Sequence, residues 1–424
     1  MIFAAVADDD TGASDLGGMF ADQGVPTVLV LDASGDLSEL VRGAECVIFA
    51  TATRALSPRE AYAKTADAAR SAVALGPRSI EIKYCSTFDS TREGNIGPSI
   101  DAAMDVLSEK FTIAFPALPV NGRTTYQGYH FVKGQLISDS PMRQHPLTPM
   151  TNPNLVEHLQ AQTRRRVWLT PWEVVDGGSG ALRHHWSSAG EGVSVVDCLC
   201  DRDAEAICEA AADLRLVTGG SAFGRFLPGA WRRRGWLGEY REVRLPKCEA
   251  GRGRLVVAGS CSTATAAQNA WLARQEGVRV LEYDAQELVD GVRPPLAELL
   301  KEDRTVLFKT RSSREDVARA QAWGATQGWS ARELGLRLAE AMAGAVRHAL
   351  DEVTPRALVS AGGETSSALC RALAARALCV GRNIQPGVPL CVPVEGRRFP
   401  LVLKSGNFGS EDFYGRAFAA AGQQ

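Results

Sequence analysis

The sequence predicts an α/β protein of two domains, each built on a mainly parallel sheet, with a cleft between them. Three observations carry this expectation. Short apolar runs of strand type alternate with helix-type segments along the chain, the pattern of doubly wound sheets. The composition changes between Gly219 and Arg254, where Trp and Arg crowd together in GAWRRRGWLGEYREVRLPKCEAGRGR. The last quarter holds two passages, RALVSAGGETSSALCRALAA and FPLVLKSGNFGSEDFYG, in which a strand ends in a Gly-rich turn that opens a helix. On this reading residues 1–225 form one domain, 226–253 the connection, and 254–424 the other.

The elements follow in order. Ile2–Ala7 is a continuous apolar run that suits a buried parallel strand. It runs into Asp8, Asp9, Asp10, Thr11 and Gly12, with a helix over Ala13–Gln23. Strands are expected at Thr27–Leu31, Cys46–Ala50, Ser79–Lys83 and Phe111–Phe115. Ser57-Pro58-Arg59-Glu60 reads as a capping box with Pro in the first helical turn, and a further helix starts near Pro98. In the long loop from Pro116 to Met150, Thr-Thr-Tyr and Tyr-His-Phe-Val can pair as a hairpin. Strands recur at Val167–Leu169, Val193–Val196 and Leu216–Thr218, with a helix over Asp203–Leu214. The second series begins at Leu255–Gly259 and turns through Ser260-Cys261-Ser262-Thr263 into a helix. Strands at Val278–Tyr283 and Val306–Lys309 and a helix over Ala331–Leu350 precede the two Gly-rich turns.

Composition narrows the function classes. A chain of 424 residues with 45% hydrophobic and 23% charged residues is that of an ordinary globular protein. The net charge of −2 offers no broad basic field for nucleic acid or a membrane surface. The Trp/Arg cluster is read as a domain seam, and no apolar run approaches the ~20 residues of a membrane helix. Ten scattered cysteines read as reduced thiols, and the N-terminus as a strand and not a leader, so a cytoplasmic location is expected.

In an open α/β sheet, ligands bind where strands end and helices begin. The first Gly-rich turn supplies Gly362, Gly363, Glu364 and Thr365; the second supplies Lys404, Ser405, Gly406, Asn407 and Gly409. Either alone is an ordinary tight connection. Together they form a candidate polyphosphate site, a nucleotide first among ligands, because glycines and helix N-termini present N–H groups to anions. At the other end of the chain, Asp8 and Asp9 are candidate proton acceptors or hydroxyl-orienting groups once one acid has capped the helix. Arg54, Lys83 and Asp89 follow neighbouring strands, so with Asp9 they can surround one small anionic, hydroxylated ligand. Asn121, Gly122 and Arg123 follow the fifth strand and can join that rim. His184-His185 and Cys198-x-Cys200 lack metal-ligand spacing, so no protein metal site is expected, and His145 is read as structural.

These motifs resemble the four-carbon acid sugar kinase family nearly end to end. The likeness is carried by ADDDTGASD (7–15), TATR (51–54), KYCSTFDSTREGNIGP (83–98), PALPVNGRTTYQGYHF (116–131) and HPLTPM (145–150). It continues through TGGSAFG (218–224), GSCSTAT (259–265), AGGETSSA (361–368) and LKSGNFGSEDFY (403–414). KYCSTFDST with HPLTPM is most similar to the 3-oxo-tetronate branch; D-threonate and D-erythronate are the alternative substrates. The resemblance implies ATP-dependent phosphorylation of the acid's 4-hydroxyl, with Mg²⁺ carried by the nucleotide. It implies that Asp9, Arg54, Lys83 and Asp89 hold the sugar acid, and that Ser260, Gly362, Gly363, Glu364, Thr365 and Gly406 hold ATP. Where the family commonly has Phe after the paired acids, this chain has Asp10, which leaves the base open between Asp8 and Asp9. A sugar-acid dehydrogenase, isomerase or sensor on the same fold is the remaining alternative, and a homodimer is compatible with the sequence.

Overall fold

The computed structural model describes residues 1–54, 56–144 and 148–423, so His145 and part of HPLTPM lie outside the described residues. The chain divides into two compact units, Met1–Val243 and Arg244–Gln424.

The first unit contains β1 (Phe3–Ala7), β2 (Thr27–Val30), β3 (Cys46–Ala50), β4 (Ser79–Lys83) and β5 (Phe111–Phe115). They are followed by β6 (Arg123–Tyr126), β7 (Tyr129–Val132), β8 (Gln135–Leu136), β9 (Val167–Thr170), β10 (Gly192–Val196) and β11 (Leu216–Gly219). Eight of these form a parallel array in the order β2-β3-β1-β4-β11-β5-β10-β9. β1 and β4 are buried along their whole length, as strands covered on both faces must be. In register, Ala7 stands level with Ala50 of β3 and Lys83 of β4, so the three strands end together. The chain proceeds from β1 to one side of the sheet and later returns on the other at β4. Such a switch point opens a crevice at the carboxyl ends of the strands.

Helices α1 (Asp10–Asp22), α2 (Pro58–Ala74) and α3 (Ile96–Leu107) flank this edge. The capping box at Ser57 is present: its hydroxyl accepts from the Glu60 amide, and the Glu60 carboxylate accepts from the Ser57 amide. The expected hairpin forms as β6–β7, with Tyr126 opposite Tyr129, and β8 adds a third antiparallel strand.

The residues expected as a connection begin instead with a helix, Ala222–Arg233, that belongs to the first unit. Its Trp231 is buried, with ring centroids 5.4 Å from Phe3 and 5.6 Å from Phe20. Tryptophan marked a buried aromatic anchor here and not a solvated seam, because its large apolar ring is worth most inside.

The second unit contains β12 (Arg254–Ala258), β13 (Val278–Tyr283), β14 (Thr305–Thr310), β15 (Ala357–Ala361), β16 (Ala377–Gln385), β17 (Val388–Pro393) and β18 (Leu401–Lys404). Their order is β13-β14-β12-β15-β18-β17-β16, parallel except that β17 runs against β16 and β18. β12 and β15 are neighbours at the second switch point. The hairpin β16–β17 was not expected, since Gly381, Pro389 and Pro393 interrupt its strand pattern. A register shift between Val380 and Asn383 accommodates the irregularity.

Candidate functional site

The first site is built where β1, β3 and β4 end. The Asp8 amide donates to the Lys83 carbonyl at 3.1 Å, and the Asp8 carbonyl accepts from the Thr53 and Arg54 amides at 2.9 and 3.2 Å. These bonds extend the parallel ladder past the strands and draw three loops together. Asn95 fixes the middle loop: its Nδ2 donates to the carbonyls of Thr53 (2.8 Å), Arg54 (3.0 Å) and Leu56 (2.7 Å). Thr51 Oγ1 adds a bond to the Ala7 carbonyl at 2.8 Å.

On this frame Arg54 binds both acids. Its Nε and Nη2 donate to the two oxygens of Asp8 at 2.8 and 2.9 Å, Nη1 pairs with Asp9, and Asp89 Oδ2 lies 4.0 Å from Nη1. Asp9 is also the cap of α1, accepting from the Gly12 amide and from Thr11 Oγ1. Burial raises the Asp8 carboxyl above its ordinary pKa despite Arg54, with the Asp9 charge adding to the rise. Burial also pushes Asp9 upward, but Arg54, the Gly12 amide, Lys83 and Thr11 together bring it below the ordinary value. Burial works against the Arg54 charge as well; Asp8 and Asp9 overcome it and hold the guanidinium firmly protonated. Asp10 opens α1, where a negative charge meets the helix's positive end.

Lys83 is buried, and its Nζ donates to the Tyr84 carbonyl at 3.0 Å. Among the described residues no carboxylate lies within ion-pairing distance of it. Asp8, Thr51, Thr53, Arg54, Lys83 and Asp89 line one pocket together with the apolar Val6 and Ile82, and Asp9 stands outside that lining. Arg123 is not part of that lining. It begins β6, donates to the Asn121 carbonyl through Nη1, and its buried Nε has no partner among the described residues. Asp89 accepts from Thr87 Oγ1 at 2.6 Å, and His130 of β7 anchors the same loop through the Ser86 carbonyl at 2.8 Å. Asn95, Thr51 and His130 escaped the sequence reading because their work is done on backbone carbonyls that only the folded loops present.

The second site gathers the ends of β12, β15 and β18. The Gly362 amide donates to the Lys404 carbonyl at 2.8 Å, and the Ser260 amide to the Ala361 carbonyl at 3.2 Å. Two helices, Thr263–Ala273 and Gly363–Ala372, begin at these turns. The latter has no side-chain cap, so its first N–H groups are open to an anion. Glu364, Cys261 and Asn407 are exposed around it. Gly362 has φ +133°, and a Cβ there would stand 3.0 Å from Thr365 Oγ1 and 3.3 Å from the Ser260 amide. A Cβ on Gly406 would collide with Ser260 Oγ. Both glycines are therefore required by close approach of the three loops.

Lys404 is turned inward. Its buried Nζ donates to the carbonyls of Ser405 (3.0 Å), Gly406 (3.2 Å) and Phe408 (3.2 Å), and reaches Thr265 Oγ1 at 3.3 Å. The ammonium expected to face phosphate is engaged in shaping the turn. Gln268 supports the same loop, its Nε2 donating to the carbonyls of Phe408, Gly409 and Ser410 at 2.9–3.0 Å. Ser262 and Thr265 both donate to the Gly406 carbonyl, at 2.6 and 2.8 Å. Among the described residues no three His, Cys, Asp or Glu side chains gather as a metal site, and no helix is long and apolar enough to cross a membrane.

A pocket of paired acids and cations in one α/β unit and a Gly-rich turn with uncapped N–H groups in the other are features that a nucleotide-dependent enzyme of small polar metabolites would need. Comparison with known proteins agrees. A model for a sugar-binding N-terminal domain matches residues 3–227, and one for a nucleotide-binding C-terminal domain matches residues 255–414. The 3-oxo-tetronate kinase of Pseudomonas fluorescens is 40% identical, covering 100% of this chain and 98% of its own. That of Pseudomonas savastanoi is 38% identical, covering 98% and 96%. A crystal structure from Salmonella typhimurium LT2 superposes with TM-score 0.83 at 33% identity over 98% of both chains. That of Haemophilus influenzae protein HI1011 gives TM-score 0.76 at 30% identity, over 98% of this chain and 99% of that one. The chain belongs to the four-carbon acid sugar kinase family.

Proposed function

We propose that this kinase phosphorylates the 4-hydroxyl of 3-oxo-tetronate at the expense of ATP. The observation that carries the reading is the meeting, at one sheet edge of the sugar-binding domain, of Asp8, Arg54, Lys83 and Asp89 around one pocket, with Asp9 paired to Arg54 beside it. The names of the full-length relatives support the choice of acid.

Phosphoryl transfer demands positioning and charge neutralisation more than covalent help from the protein. Lys83 is the cation in the pocket with donors to spare and receives the substrate carboxylate. Arg54 holds Asp8 and Asp9 together and can exchange part of its fork for the incoming anion. Asp9, the more open of the two acids, orients the terminal hydroxyl and accepts its proton; Asp8, forked onto Arg54, holds that cation in place and is the alternative base. Asp89 completes the rim, and Arg123, outside the lining, is a candidate further cation for the acid.

The turns at Ser260, Gly362–Thr365 and Gly406–Asn407 fit a triphosphate, because the helix Gly363–Ala372 begins with uncapped N–H groups and the exposed polar side chains of Glu364 and Asn407 stand around its start. ATP supplies the transferred phosphoryl group there, and Mg²⁺ accompanies it. Glu364 is the exposed carboxylate of the first turn and is placed to hold that ion directly or through water. Lys404 acts through the turn it braces.

Release of ADP with MgATP against 3-oxo-tetronate, D- and L-threonate and D-erythronate tests the reading. Turnover confined to the oxo acid upholds it. Preference for threonate or erythronate keeps the kinase and replaces the substrate.

A further inference from the structure

Glu81 lies in the middle of β4, two residues before Lys83, and side chains two apart on a strand share a face. Its exposure is 0%, and neither carboxyl oxygen has a hydrogen-bond partner among the described residues. In register it stands between Ala5 of β1 and Val217 of β11, both apolar. The titratable groups that bear on it are Lys83 on its own strand, Tyr84 just after it, Asp15 of α1, Cys46 of β3 and Cys208 of the helix Asp201–Ala211. Lys83 is the one cation in this set. Asp15 is itself buried, with Oδ1 lacking a partner among the described residues and Oδ2 accepting from Ser221.

A buried ionised carboxylate without a partner is among the most unfavourable groups a fold can hold, and such a group keeps its proton instead. Burial drives the Glu81 pKa to about 8, Lys83 opposing and Asp15 reinforcing the rise. The consequence falls on Lys83. With Glu81 neutral, the Lys83 ammonium, bonded only to the Tyr84 carbonyl among the described residues, is left to an incoming anion. With Glu81 ionised, the same ammonium would be partly neutralised from within the sheet.

We propose that Glu81 is a positioning residue of the sugar-acid site, held as a neutral carboxyl beneath Lys83 so that the lysine charge is available to the substrate carboxylate. The proposal rests on the assignment of Lys83 to the substrate. Loss of the Glu81 proton then weakens sugar-acid binding on the alkaline side and leaves the nucleotide turn untouched.

Two measurements test it. The first is infrared titration of the carboxyl stretch in protein labelled with ¹³C-glutamate. A protonated glutamate band present at pH 7, lost toward pH 9.5 and missing from Glu81→Gln, is expected; absence of such a band from the wild type overturns the proposal. The second is the sugar-acid KM across the same range. It should rise about tenfold in the wild type, the equivalent of one pKa unit of coupling, and stay flat in Glu81→Gln, which mimics the neutral acid. Equal rises in the two proteins overturn the proposal. The nucleotide KM should change with pH identically in both. A protein that turns over none of the four-carbon acids would refute the substrate assignment, while the infrared band would still decide the state of Glu81.

Discussion

Arg54 is forked onto Asp8, its Nε and Nη2 donating to the two carboxylate oxygens at 2.8 and 2.9 Å, while its remaining nitrogen pairs with Asp9. One planar cation thus holds two adjacent acids whose mutual repulsion would otherwise splay the loop. Arg54→Ala leaves both acids mostly buried and unpaired, and should lower stability by about 3 kcal/mol. Arg54→Lys restores charge without the fork, so it should recover most of that stability but little activity, with kcat/KM down about 100-fold. Chemical denaturation and steady-state kinetics on the pair would separate the effects; equal activity in Arg54→Lys and wild type would refute the role.

Asp9 combines two tasks that one substitution can separate. Asn caps helices about as well as Asp, so Asp9→Asn should keep α1 anchored at Gly12 and shift the melting temperature little. It removes the acceptor for the substrate hydroxyl, and kcat should fall about 10²–10⁴-fold. Asp8→Asn should act chiefly through Arg54, raising the sugar-acid KM. A larger kcat loss in Asp8→Asn than in Asp9→Asn would reverse the two assignments.

Much of this arrangement was legible in the chain. Arg54, Lys83 and Asp89 each follow a strand-type run, and parallel strands must deliver such loops to one edge. What lay beyond reach was the direction of each charge. Lys404 follows a strand into a Gly-rich turn, as a phosphate-binding lysine would, yet three carbonyls freed by that turn capture it first. In SIEIK the polar Ser79, Glu81 and Lys83 alternate with isoleucines, yet β4 sits inside the sheet and every residue of it is buried. The helix at Ala222–Arg233 was hidden by its own composition: Pro228 and the surrounding Arg and Gly residues read as linker, and only packing of Trp231 on Phe20 explains it.

His130 predicts an acid limit to stability. Burial lowers its pKa to about 4, with Nε2 donating to the Ser86 carbonyl and Nδ1 bonded to Thr125 Oγ1. In the unfolded chain the imidazole titrates near its ordinary 6.5. Between these values the unfolded state binds the extra proton, so stability falls as pH drops from about 6.5 to 4. The loss amounts to up to about 3 kcal/mol from this group. His130→Gln should be less stable at pH 7.5 but flatter over that window, read by urea denaturation at successive pH values. An unchanged slope would exclude His130 as the cause.

Lys404 predicts how nucleotide binding depends on a residue that need not touch the nucleotide. Burial brings its pKa to about 8, so at pH 7 the ammonium persists and its N–H groups are shared among three carbonyls and Thr265. Those bonds fix the Gly406 carbonyl, onto which Ser262 and Thr265 close from the neighbouring helix. Lys404→Met preserves length and removes every Nζ donor, while the Ser405, Gly406 and Phe408 carbonyls keep the Phe408 amide, the Ser262 and Thr265 hydroxyls and Gln268, so the fold should persist and the turn loosen. The relaxed turn should no longer hold Gly406 against Ser260, and the nucleotide KM should rise about tenfold or more. The sugar-acid KM should stay within about twofold, since Lys404 belongs to the other unit. Gly406→Ala attacks the same contact from the opposite side, by placing a methyl group against Ser260 Oγ, and should reproduce the nucleotide defect. If both variants bind nucleotide as the wild type does, the turn after β18 is not part of the nucleotide site.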